Sequence, residues 1–257
     1  MFGFLIKKTF FDMWDNLFRI ILLNIGFILI ISYSIGVVPL TSGIPVLFWI
    51  ALFVGIAAFF VYIGAASKMT SEIADYKQPG FADFLAGLKE TYRTSLLIAL
   101  CTFIFIFIIR TAFTFYGSMQ SILGPLAVAF LFWVTVVMIL AAQFFFPIQS
   151  RMDRKLRKIF KKSFLILLDN TMFSLGVFGL TFIIFAISVL FMLLIPGITA
   201  LLLFWNAALK LRLYKYDYLE QNPTENRKRI PWDALLINDR ERVGKRTLKG
   251  MIFPWKE

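Results

Sequence analysis

Residues 45–66 read PVLFWIALFVGIAAFFVYIGAA, an unbroken stretch of 22 residues without one charged side chain. As a helix it would rise about 33 Å. That matches the roughly 30 Å hydrocarbon core of a bilayer. Apolar residues cover every side of it, so it has no polar face to turn toward water. Five other stretches read the same way: 18–38, 94–115, 122–146, 171–195 and 197–213. The last is short, and its Lys210 and Arg212 are expected to snorkel to the surface. The N-terminal apolar run is about 20 residues long and lacks small residues at a cleavage site, so it reads as a retained span.

The whole chain follows this pattern. It is 60% hydrophobic and contains 31 phenylalanines, against about 45–50% apolar residues in a soluble domain. The expected fold is all-α: a polytopic membrane protein whose six transmembrane helices form three parallel helical hairpins, with interfacial amphipathic helices. The lipid bilayer is then the first partner.

Charge placement orients the segments. Of 27 Lys and Arg, 26 fall in four regions: the N-terminus up to Arg19, 67–93, 147–163 and 210–257. Only Arg110 lies elsewhere. The alternate joints, PLTSGIP (39–45), YGSMQS (116–121) and IPG (195–197), carry no charge. Lys and Arg collect in cytoplasmic loops, so both termini are expected on the cytoplasmic side of the membrane. The net charge of +12 is accounted for by this placement, and no nucleic-acid partner is expected.

Several chemistries are excluded. The chain has no histidine and a single cysteine, Cys101. It can form no internal disulfide or Cys/His zinc site, and it lacks the commonest general base. No phosphate-binding glycine loop is present. No catalytic residue, metal or cofactor is expected.

Three charged stretches have helical amphipathic spacing. They are Phe10, Phe11, Trp14, Leu17 and Phe18 at the N-terminus; Phe81, Phe84, Leu85, Leu88 and Tyr92; and Met152, Leu156, Ile159 and Phe160 among seven basic residues. Each suits a helix in the headgroup layer or a cytoplasmic extension of a span.

The chain also repeats. KKTF (7–10) returns as KKSF (161–164), Asp15-Asn16 as Asp169-Asn170, and Gly43-Ile44 as Gly197-Ile198, all at one offset. Leu47-Phe48-Trp49 returns as Leu203-Phe204-Trp205. The repeats are expected at 1–66, 80–147 and 151–213, with a basic, aromatic tail at 214–257.

Polar residues inside spans are few. Asn24, Gln143 and Asn206 lie near the cytoplasmic ends of their spans, and form either one polar layer or separate packing bonds. Arg110 sits near the outer surface, within reach of lipid headgroups or a substrate path. Asp12, Asp15, Asn16, Asp169 and Asn170 sit where helix N-caps are expected. In the tail, Trp232, Phe253 and Trp255 are candidate anchors to the interface or to a partner.

DNLFRIILLN, FADFLAGLKETYRTSLLIAL, and DNTMFSLGVFGL followed by IPGITALLLFW resemble the YesL-like bacterial membrane proteins over about residues 10–210. The tail lies outside that resemblance. It implies no catalytic residues and an accessory role at a carbohydrate transporter. A membrane scaffold is therefore one expectation. A small transporter or channel using the Asn24, Gln143 and Asn206 layer is the other.

Overall fold

The computed structural model describes residues 1–223, 230–244 and 246. All regular structure among them is helical. α1 (Phe2–Asp15) stops at Asn16, and α2 (Leu17–Ser32) begins beyond it. A π-helical turn (Tyr33–Val37) and α3 (Val38–Leu40) carry α2 to the first turn. α4 (Pro45–Ala74) has Pro45 in its first turn, where the missing N–H leaves no helical bond unmade. α5 spans Phe81–Gly117, and the Gly80 N–H before it donates to Asp83 Oδ2 at 2.7 Å. Then come α6 (Leu123–Ala142), α7 (Phe145–Arg151), α8 (Leu156–Asp169), α9 (Thr171–Leu190) and α10 (Gly197–Gln221). Two short helices, α11 (Trp232–Leu235) and α12 (Ile237–Val243), follow.

Among the described residues, five stretches are long and apolar enough to cross a membrane: Leu17–Leu40, Pro45–Ala74, Phe81–Gly117, Leu123–Arg151 and Thr171–Leu190. Their outward surfaces are rich in exposed Leu, Ile and Phe, which suits lipid contact. The predicted sixth segment, 197–213, lies within α10 and is not among the five. α10 is instead the buried centre of the molecule, packed most extensively against α4 and then α9, α1 and α2. It continues to Gln221, so residue 213 is not a boundary.

Two expected elements differ. Residues 81–93 are the first turns of α5, continuous with its apolar part, so of the two readings for this stretch the extension of a span holds and the separate interfacial helix does not. No breaker separates them, and the missing side chain of Gly64 on α4 lets Thr91 and Ser95 of α5 pack directly against it across this stretch. The segment 122–146 bends at Gln143 and Phe144. There Gln143 Nε2 donates to the Leu140 carbonyl at 2.9 Å, satisfying one of the acceptors a helix end leaves open.

The sequence repeat has a local structural counterpart. α1 and α8 each hold 14 residues at equivalent positions. Each ends in Asp-Asn, and each asparagine donates its amide back to the carbonyl four residues earlier: Asn16 to Asp12 at 3.0 Å, Asn170 to Ile166 at 3.1 Å. A side chain that bonds backward competes with continuation of the helix, so the chain breaks at the same point twice.

Gly43 and Gly197, matched in the repeat, end at different heights. The turn between α9 and α10 meets Asn24, only two turns into α2. From Asn24 to the first turn at Thr41 is about 26 Å along the helix. Ile198 at the start of α10 packs on the same buried cluster as Tyr62 and Ile63 of α4, which lie about 26 Å along that helix from Pro45. The α9–α10 hairpin thus turns back well short of the first.

Candidate functional site

Lys8 is completely buried on α1. Its Nζ lies 2.5 Å from Asp12 Oδ2, donates to the Ala74 carbonyl at 2.9 Å, and stands 3.8 Å from the centre of the Tyr76 ring. Lys210 reaches the same point from α10. It donates to Ala74 O at 2.9 Å and lies 3.3 Å from both Asp75 Oδ1 and Asp239 Oδ1. Arg151 of α7 closes the circle, donating to Asp75 Oδ2 at 2.8 Å and Ser71 O at 2.7 Å. Lys8, Lys210 and Arg151 are balanced by Asp12, Asp75 and Asp239.

The location follows from helix ends. The last carbonyls of α4 have no intrahelical donor and carry the negative end of its dipole. Two ammonium groups converge on one of them. Tyr76 just beyond has φ +61°, a left-handed conformation that turns the chain and stacks its ring between Lys8, Lys210 and Arg242.

Burial sets the protonation balance. It lowers the Lys8 ammonium from its ordinary value, against the pull of Asp12. It pushes the Asp12 carboxyl up to about 6, again outweighing its lysine partner. Burial would raise Asp239 too, but there Lys210, the Tyr76 hydroxyl and Lys8 together win and hold it below the usual range. The carboxylate from α12 is therefore held charged more firmly than that of Asp12. The arrangement is a clamp: Asp239, with Lys7 donating to Gly244 O at 3.1 Å, ties α12 to α1, α4 and α10.

A second polar knot lies where α8 meets α9. Lys215 contacts Asp169 Oδ2 at 2.7 Å and Asn170 Oδ1 at 2.9 Å, and Arg212 donates to Asn170 Oδ1 at 3.0 Å. The Arg212 guanidinium stacks 3.7 Å from the Phe173 ring centre and 4.9 Å from that of Trp232. Lys210 and Arg212 thus do not snorkel. They are buried and paired, because α12 and the α8–α9 junction bring acceptors to them.

The three span amides are all buried but occupy separate networks. Asn24 donates to Leu194 O and Pro196 O, each at 2.9 Å, and accepts from Thr199 N–H at 2.9 Å. Gln143 bonds Leu140 O and, at 3.1 Å, Ser174 O. Asn206 donates to Ser67 O, Ser67 Oγ, Thr70 Oγ1 and Leu202 O. Gln143 Oε1 and Asn206 Oδ1 find no donor among the described residues. Arg110 is exposed and borders a small cleft with Thr111, Thr114 and Ser118.

The acidic and amide residues at the span entrances do not cap helices. Asp12 pairs with Lys8, Asp15 with Arg246, and Asp169 with Lys215. Trp232 packs onto the buried cluster around Phe173 and Leu236; Phe253 and Trp255 lie outside the described residues. Sequence reasoning missed the Lys8–Lys210–Asp239 network. One signal for it was present: Lys8 and Asp12 stand four apart, on one face of a helix rich in apolar residues. No family model, curated protein or solved structure matches this chain.

Proposed function

We propose that this chain is a non-enzymatic scaffold or accessory protein of the bacterial cytoplasmic membrane, with both termini cytoplasmic and its charged face as the working surface. The observation that carries this reading is the Asp239 clamp. A buried, charge-balanced network exposes no nucleophile or acid–base pair to a substrate, but it fixes a C-terminal element rigidly on the membrane domain. Such a platform suits a membrane partner, and the YesL-like resemblance supports a carbohydrate transporter subunit as its class.

The positions of the turns support a particular path through the bilayer. α2–α3, α4, α5 and α6–α7 cross fully. The α9–α10 hairpin enters from the cytoplasmic side and turns back near Asn24, with Phe191, Met192 and Leu194 embedded in lipid. Two crossings or none return the chain to the same side, so the positive-inside orientation holds for either.

Cysteine labelling tests the path in a background lacking Cys101. Cysteines at Thr41 and Ser118 react with an impermeant reagent outside intact cells, and those at Lys155 and Asp233 do not. Labelling at Met192 from outside would restore six full crossings. For the scaffold role, truncation after Asn222 leaves α10 whole and should release a stoichiometric partner on co-purification. The rival reading, a transporter or channel, draws on the unpartnered Gln143 and Asn206 acceptors. Substrate flux in liposomes that disappears when Asn24, Gln143 and Asn206 are replaced together would establish it instead.

A further inference from the structure

We infer that the groove between α4 and α5 is a binding site for one anionic phospholipid, with an acyl chain in the groove and the phosphate on Arg93 and Lys89. α4 and α5 approach closely where Gly64 meets Ser95 and Thr91 and Gly87 meets Lys68. On the other side of Gly64, toward Trp49, the two helices line a cavity of about 620 Å³. Its walls are Trp49, Phe53 and Ile56 from α4 and Leu97, Leu100 and Phe103 from α5, and Arg93 is its only charged lining residue.

The occupant must match both ends. From Phe103 to Arg93 the groove runs about 15 Å along α5 with apolar walls throughout, which fits a hydrocarbon chain. At its mouth Arg93 donates to the neutral Tyr92 hydroxyl at 2.8 Å and has no carboxylate partner among the described residues. Lys89, one turn earlier on the same face, is exposed and likewise without a described partner. The nearby carboxylate Glu90 is taken by Arg154. Two uncompensated cations above an apolar slot, at the bilayer's cytoplasmic edge, select an anionic headgroup. The inference needs α4 and α5 to cross a bilayer and is independent of the scaffold role.

Native mass spectrometry of the full chain in detergent tests it, with phosphatidylglycerol and phosphatidylcholine of identical chains as probes. One phosphatidylglycerol should be retained in preference to phosphatidylcholine. Arg93→Gln with Lys89→Gln should cut retention about tenfold or more, given about 1 kcal/mol per basic residue. Ala57 also lines the groove from α4, and Ala57→Phe, which fills the groove and leaves both cations in place, should cut it as well. Circular dichroism and melting verify that each variant is folded. Equal retention of both lipids, or unchanged retention in either folded variant, overturns the proposal. So does displacement by inorganic phosphate at lipid concentration, which would mean a headgroup site without the groove. A dimer that excludes lipid from the wild type would assign the groove to a second copy and overturn it equally.

Discussion

Asn24 and Thr199, 175 residues apart, are joined by a 2.9 Å hydrogen bond from the Thr199 N–H to the Asn24 carboxamide oxygen. The same carboxamide presses on Gly197, where any Cβ would collide with it. Gly197 has φ +71°, which glycine alone adopts without strain. One asparagine from α2 thus fixes the depth at which the last hairpin turns.

Replacing Asn24 by Ala leaves two carbonyls and one N–H of that turn without their partner. A typical hydrogen bond between membrane helices is worth about 0.6 kcal/mol, but orphaned buried groups cost about 1–3 kcal/mol. The variant should lose about 2 kcal/mol or more, read by thermal unfolding in detergent. Gly197→Ala should cost about 1–3 kcal/mol from backbone strain plus the collision. The two losses should not add, because both act on one contact.

Lys8→Met leaves Asp12 buried with no partner on α1, and should cost about 3 kcal/mol or more. Lys8→Met with Asp12→Leu removes both charges and should recover most of that. If the double variant is as unstable as the single, the ion pair is not the source of the loss.

Asp12 has a carboxyl held near 6 when folded, against 3.8 as the ordinary value. Folding therefore favours its protonated form. Its contribution to stability is full below the ordinary value and is lost as pH rises through about 6. Asp239 acts in the opposite sense: held low, it stabilises above the ordinary range and is lost in acid. Asp12→Asn should flatten the fall in melting temperature between about pH 4 and 6 while leaving the acid limb.

Asp239→Ala removes the one α12 carboxylate facing Lys8 and Lys210. Limited proteolysis should then cut within 230–246 far faster than in the parent, while α10 stays protected. Equal cutting rates would show that Trp232 and Leu236 hold the segment without the clamp.

Arg246 and Asp15 form an ion pair 43% and 47% exposed. Such pairs are worth about 0–1 kcal/mol. Arg246→Ala should shift stability by no more than that and leave proteolysis unchanged, in contrast to Asp239→Ala.

Much of the helical layout was legible in the sequence. Uncharged runs such as 45–66 mark helices long enough for a bilayer, whereas Asp-Asn at 15–16 and 169–170 reads as capping and proves instead to sit at two helix breaks without side-chain caps. Boundaries failed where tertiary contacts intervened: α6 ends at Gln143, which bonds Ser174 of α9, and α5 runs on past residue 93 where Thr91 and Ser95 pack against Gly64. Of the candidate site residues, Asn24, Gln143 and Asn206 are buried and bonded, but to three different neighbourhoods. Lys210 and Arg212 could be read only as long cations near a span end, because their acceptors come from α12 and the α8–α9 junction.

Hydropathy by itself determined the helical character of the described residues and the membrane-length apolar helices among them. Those properties depend on local composition, which the bilayer reads segment by segment. The tertiary structure alone decided the depth of the last hairpin, the burial of α10 and the assembly of Lys8, Lys210, Arg151, Asp12, Asp75 and Asp239 into one network. Each of these needs residues from distant segments to meet, and a buried charge is tolerated only where such a meeting supplies its partner.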